Sequence, residues 1–168
     1  SSTTASLAMG DALAIALLEA RGFTAEDFAL SHPAGSLGRR LLLQVSDIMH
    51  TGDRVPCVAP GSTLSEALMV MTAKGLGMTA IAGADRRVAG IFTDGDLRRA
   101  LDRRVDPHAT PIDAVMTPSP KTVRAGTLAS EALRMMETHR ITGLLVDDDD
   151  DRLLGALNVH DLMRAGVV

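Results

Sequence analysis

Gly90-Ile91-Phe92-Thr93-Asp94-Gly95-Asp96-Leu97-Arg98-Arg99 returns in outline near the other end of the chain as Gly155-Ala156-Leu157-Asn158-Val159-His160-Asp161-Leu162-Met163-Arg164. The decisive residues are Thr93 with Asp96, and Asn158 with Asp161. Each pair is spaced i, i+3 where an apolar strand gives way to a helical pattern, so a hydroxyl or amide and a carboxylate share a helix N-terminus. Such an end suits an anion and a sugar hydroxyl. Both pairs also fit the capping box, whose only task is to start a helix. Taken singly, the motifs leave capping and ligand binding level. Duplication favours a ligand, because two pseudo-symmetric units create a cleft lined by both motifs.

The repeat extends outward from these anchors. Val45-Ser46-Asp47-Ile48-Met49 answers to Ile112-Asp113-Ala114-Val115-Met116, Glu66-Ala67-Leu68 to Glu131-Ala132-Leu133, and Met78-Thr79 to Ile141-Thr142. Two copies of one supersecondary unit are therefore present. In each copy a short strand (56–58 or 121–123) precedes a helix from about Thr63 or Thr127. Leu64, Ala67, Leu68 and Met71 share one face of the first helix; Leu128, Ala132, Met135 and Met136 share one face of the second. Two strands follow (79–82 and 88–92, or 143–146 and 153–157), then a closing helix (94–101 or 159–163). The pattern is βαββα twice, an α/β (α+β) fold. A three-stranded sheet with helices on one face is thin, so the two units are expected to bury their open sheet faces on each other. Asp147 to Asp151 lacks the alternation and glycine of a calcium loop and reads as a solvated hairpin tip. The methionines fall on apolar faces and read as core filling rather than a cofactor box.

Before the repeat, Leu7, Ala8, Ala12, Ile15, Ala16 and Leu18 recur at helical spacing up to Gly22, which predicts an amphipathic helix over 5–21. The hydroxyls of residues 1–4 would cap it or hold a sugar phosphate. A second short helix is expected over 23–30. The turn-rich stretch 31–38 then carries His32, ahead of Arg39 and Arg40. A loop histidine is either solvated or a general acid or base.

With 168 residues, 46% of them hydrophobic, the chain can pack one or two domains. Its net charge of -4 and lack of a basic cluster with interleaved aromatics argue against nucleic acid or an anionic membrane as partner. No apolar run is expected to reach the roughly 20 residues of a membrane span. The lone Cys57 fits a reducing cytoplasm. The start at Ser1, without a methionine, reads as the middle of a longer protein.

Residues 45–168 resemble a tandem pair of cystathionine β-synthase (CBS) domains, regulatory modules that bind nucleotide-like ligands at Gly-h-h-Ser/Thr-x-x-Asp, where h is apolar. The match falls on Gly90, Thr93 and Asp96, and on Gly155, Asn158 and Asp161. Asn158 departs from the hydroxyl residue, which places the better site on the first copy. The resemblance implies that Thr142 faces Thr93 and Asp96, and that Thr79 faces Asn158 and Asp161. The longer order, Ser1 to Ala5, Met9 to Ala14, Ser31-His32-Pro33, Gly38-Arg39-Arg40 and then the pair, resembles the C-terminal half of D-arabinose 5-phosphate isomerases. These join a sugar isomerase (SIS) domain to a CBS pair and interconvert ribulose 5-phosphate and arabinose 5-phosphate for Kdo and lipopolysaccharide synthesis. The resemblance implies a SIS remnant and linker over 1–41 and CBS units over 42–106 and 107–168. It implies His32 as a catalytic residue of the parent enzyme only, and most of the SIS domain lying before Ser1. It implies no required cofactor, a regulatory nucleotide or CMP-Kdo as effector, and a homo-oligomer built from dimers of CBS pairs in a tetrameric parent. A CBS pair serving mainly for oligomerisation, through apolar faces around Met69 and Met135, is the alternative.

Overall fold

The computed structural model describes residues 2–23, 27 and 42–167. The expected second helix, and the loop with His32, Arg39 and Arg40, lie outside the described residues. The chain divides into two units, Ser1–Leu42 and Leu43–Val168.

In the first unit, helix α1 (Ser2–Ala20) forms where the spacing places it. It is not amphipathic, however. Leu7, Met9, Leu13, Ile15, Leu17 and Leu18 are all exposed and point around the whole circumference, the pattern of a helix that belongs inside a larger core or a membrane. By length and composition it is able to cross a membrane, contrary to the expectation above, because alanines lie between its leucines and only Asp11 and Glu19 are charged. Asp11 near the middle of such a span would cost about 2.5–3.5 kcal/mol, which counts against that use.

The second unit opens with a helical turn, α2 (Val45–Ile48), and strand β1 (His50–Thr51). Then come β2 (Cys57–Val58), α3 (Leu64–Lys74), β3 (Met78–Ala82), β4 (Val88–Thr93) and α4 (Asp94–Asp102). The second copy gives a 3-10 turn at Ile112–Ala114, β5 (Thr117–Pro118), β6 (Thr122–Arg124), α5 (Ala129–His139), β7 (Gly143–Asp147), β8 (Leu153–Asn158) and α6 (Val159–Arg164). Local chemistry sets the helix ends. Thr63 and Glu66 cap α3 reciprocally, and Gly75 stops it in the left-handed conformation. In the second copy Leu128 sits just before α5, and Ala129 takes the buried place expected for it.

The sheets have four strands, not three. Their orders are β2-β3-β4-β5 and β1-β8-β7-β6, so each repeat lends the other its leading strand. β1 pairs antiparallel with β8 and β5 with β4. The segments before these strands cross as well: Ala129 N–H donates to the Leu43 carbonyl, and Leu64 N–H to that of Thr110. Strand alternation then sorts the core into three layers. Met78, Ala80, Ile91, Leu145, Leu153 and Ala156 pack between the two sheets. Ile81 and Phe92 meet α3 and α4, while Leu144, Val146 and Leu157 meet α5 and α6. The open sheet faces are thus buried on each other, as expected.

The acidic run forms the expected exposed hairpin tip over Asp149 to Asp151, but its first residue does not belong to it. Asp147 ends β7 and is buried, with Oδ1 2.7 Å from Arg124 Nη1, while Asp149 and Asp151 lie at the edge of the same guanidinium. The hydrogen bond from Arg124 to Asp147 holds the guanidinium pKa above its ordinary value. Backbone amides of Arg152 and Asp150 donating to Asp148 hold that carboxyl below the usual range. Arg124 and the backbone donors to Asp148 are the run's partners, and no group of residues able to hold a metal occurs among the described residues.

Candidate functional site

Thr93 is the N-cap of α4 and Asp96 its third residue, and the capping box is closed in both directions. Asp96 Oδ2 accepts from Thr93 N–H at 2.9 Å and from Thr93 Oγ1–H at 2.7 Å. Oδ1 accepts from Arg99 Nη2 at 2.5 Å and from Thr117 Oγ1 at 3.0 Å. The second motif repeats this plan on α6. Asn158 N–H donates to Asp161 Oδ2 at 2.9 Å, Asp161 N–H donates to Asn158 Oδ1 at 3.1 Å, and His50 Nε2 lies 3.0 Å from Asp161 Oδ1. Thr117 and His50 open the exchanged strands. Each motif carboxylate is therefore bonded to the other repeat, a structural role that the sequence pattern did not show.

The motif glycines serve that exchange too. A Cβ on Gly90 would stand 2.5 Å from Met116 Sδ, and one on Gly155 would stand 2.7 Å from the His50 carbonyl oxygen and 2.8 Å from Met49 Sδ. What approaches the backbone closely is the partner repeat's leading strand with its methionine, so these positions need glycine whether or not a ligand binds.

Thr93 and Asp96 open onto a cavity of about 720 Å³. Its walls include Gly77 and Met78 of the first repeat and, from the second, Thr117, Lys121, Arg140, Ile141, Thr142 and Gly143. Thr93, Asp96 and Thr142 are thus brought together. Arg98 and Arg99 add cations, giving four cations against the carboxylates of Asp94 and Asp96. Only Arg99 has a carboxylate partner within salt-bridge distance; Arg98, Lys121 and Arg140 have none among the described residues. A concave site of this size with surplus positive charge fits an anionic small molecule.

Thr79 is not part of either site. It is fully buried, and its hydroxyl donates to the Ala67 carbonyl at 3.2 Å on the helix-covered face of the sheet. The expected pairing of Thr79 with Thr142 is two residues out of register. Asp94 N–H donates to the Gly77 carbonyl and Val159 N–H to that of Thr142, so Gly77 is the counterpart of Thr142. Thr79→Val keeps the shape and loses one hydrogen bond. It should cost no more than about 1 kcal/mol in urea denaturation and leave ligand affinity at the first motif unchanged.

The second motif is differently furnished. The Asn158 side-chain amide donates to the Leu76 carbonyl at 3.5 Å, and Met78, not a glycine, occupies the place matching Gly143. Another cavity of about 650 Å³ lies beside Cys57, Lys74 and Arg86, away from both motifs. There the Arg86 side chain is engaged by the Leu153 carbonyl, and burial pushes the Cys57 thiol up, away from a reactive thiolate.

Two face-packed βαββα units, with exchanged leading strands and a capped Gly-h-h-Thr-x-x-Asp turn opening on a cleft, define a tandem pair of one small α/β module. The chain belongs to the CBS domain family, whose model matches residues 45–103 and 112–168. It is 64% identical over its full length to arabinose 5-phosphate isomerase KdsD of Pseudomonas aeruginosa, of which it covers 52%. The chain thus spans about half the length of the curated relatives it matches. Among solved structures, CBSX2 in complex with AMP superposes with a TM-score of 0.64 at 24% identity, over 74% of this chain and 96% of that one. The CBS domain pair of protein MJ0100, in complex with 5′-methylthioadenosine and S-adenosyl-L-methionine, superposes with a TM-score of 0.66 at 21% identity, over 73% of this chain and 94% of that one. These likenesses establish the fold.

Proposed function

We propose that the chain is the regulatory CBS pair of an arabinose 5-phosphate isomerase and binds a nucleotide or nucleotide sugar in the cavity at Thr93 and Asp96. The observation that carries this is the convergence of Thr93, Asp96 and Thr142 on one cleft with three cations that lack carboxylate partners among the described residues. The helix start and the arginines attract phosphate. A ribose diol donating to Asp96 would take the places of Thr117 and Arg99, both exposed side chains able to move. The neighbours crystallised with AMP or S-adenosyl-L-methionine support an adenine nucleotide. CMP-Kdo offers the same ribose and phosphate with an added carboxylate for the surplus cations, and suits feedback on an enzyme of Kdo synthesis. The isomerase assignment follows the relative's name, and the interconversion of ribulose 5-phosphate and arabinose 5-phosphate follows the family resemblance. Catalysis by His32 requires the rest of that enzyme, so the chain alone is expected to show no turnover. The all-round apolar surface of α1 supports its packing inside a SIS domain.

Calorimetric titration of the chain with AMP, ATP and CMP-Kdo tests the reading. Saturable heat with at least one, at micromolar to millimolar Kd, is expected; silence with all three leaves the motifs as helix caps only. A second reading, oligomerisation, draws support from Met69, Leu101 and Met163, which are 72%, 60% and 55% exposed. Met135 offers less to such a face, because it is partly buried against the second core. If this reading governs, deleting residues 45–168 from the full enzyme lowers its assembly state and leaves its effector response untouched.

A further inference from the structure

Arg140 ends α5 in the left-handed conformation, with φ 53°. Its counterpart at the end of α3 is Gly75, with φ 68°, and the amide of the residue at each end donates within the same last turn. Glycine adopts that backbone without a steric penalty and arginine does not. The first repeat shows that the turn can be made with glycine, so helix termination alone does not require arginine here. Its side chain lines the cavity beside Thr142 and has no hydrogen-bond or ion-pair partner among the described residues. Ser119 tells the same story. It lies on the cavity wall at φ 50°, just after β5, where the position just after β1 is Gly52 at φ 56°. Of the five described non-glycine residues with a left-handed backbone, Arg86, Arg104, Ser119, Arg140 and Asp151, Ser119 and Arg140 border the first motif's cavity, and glycines hold both matching positions. Strain held at a cleft marks a side chain retained for what it contacts.

We propose that Arg140 is a specificity residue that reads a phosphate of the bound ligand, and that Gly75 in the matching place confines phosphate-dependent binding to one ligand per chain. This rests on the reading of the cavity as a nucleotide site. A hydrogen bond between guanidinium and phosphate is charge-assisted and bidentate, so its loss should cost roughly tenfold in affinity. The test titrates AMP with adenosine, and CMP with cytidine, against the wild-type chain and Arg140→Gly. In the wild type at least one nucleotide should bind about tenfold tighter than its nucleoside, at one ligand per chain. Arg140→Gly should erase that preference, leave nucleoside affinity unchanged and raise Tm by a few degrees, because the left-handed position is relieved. A variant that keeps its preference for the nucleotide overturns the proposal while leaving the cavity reading intact, as does a wild type with no preference. Two equivalent ligands per chain would overturn the one-site part. A wild type that binds none of the four compounds removes the cavity reading itself.

Discussion

Gly155→Ala should destabilise the CBS pair by about 2–3 kcal/mol, near the upper end of what overpacking usually costs. The new Cβ would stand 2.7 Å from the His50 carbonyl oxygen and 2.8 Å from Met49 Sδ. A methionine tip can rotate away; a strand carbonyl cannot. Relief therefore requires β1 to shift from β8, which threatens the pairings of His50 with Ala156 and Thr51 with Gly155, and the bond from His50 to Asp161. At Gly90 the shortest contact is with Met116 Sδ, and the backbone oxygen of Thr117 lies farther off at 3.0 Å, so Gly90→Ala should cost less. Urea denaturation monitored by circular dichroism gives both values. A Gly155→Ala chain within about 0.5 kcal/mol of wild type would mean that β1 does not lie on β8.

The same contact explains which parts of the fold were legible. The repeated βαββα order could be read because its long elements carry periodic apolar residues and clear stops such as Thr63 and Gly75. The exchanged strands could not, because two residues have no period and Thr117-Pro118 looks like a turn. Their only sequence trace is the methionine before each, Met49 and Met116, matched to the glycines they cover. Residue identity matches Thr79 to Thr142, whereas backbone pairing makes Gly77 the equivalent; the two-residue offset, which leaves Thr79 inside β3 rather than at its cleft end, shows only in the strand register. The composition of its neighbours marks Asp147 as part of a turn, whereas β7 runs on through it and brings it to Arg124. For α1 the helix was legible but not its surroundings, since apolar residues on every side record burial without naming what covers it. The cavity's surplus cations were invisible in the sequence, because Arg98 and Lys121 come from different repeats and meet only through the face-to-face packing.

Asp96→Ala and Asp161→Ala together should separate capping from ligand binding. Each substitution removes a carboxylate that caps its helix and holds a residue of the exchanged strand, Thr117 in one case and His50 in the other. Both should therefore lose about 1–2 kcal/mol of stability, and a capping role predicts nothing more. Binding breaks the symmetry. Asp96 is the acceptor at the mouth of the cavity that Arg98, Lys121, Arg140 and Thr142 surround, whereas Asp161 is bonded to His50 and lies near Arg164 at 3.7 Å, in a motif whose asparagine is turned to Leu76. Losing two charge-assisted hydrogen bonds from a ribose should lower nucleotide affinity at least about 100-fold in Asp96→Ala. Asp161→Ala should stay within about twofold of wild type, since 1.4 kcal/mol corresponds to tenfold. Thermal melts and calorimetry on the two variants give both readouts. Equal loss of affinity in both would make the second motif a partner in one shared site; equal retention would leave Thr93 and Asp96 as a helix cap that merely faces a cavity.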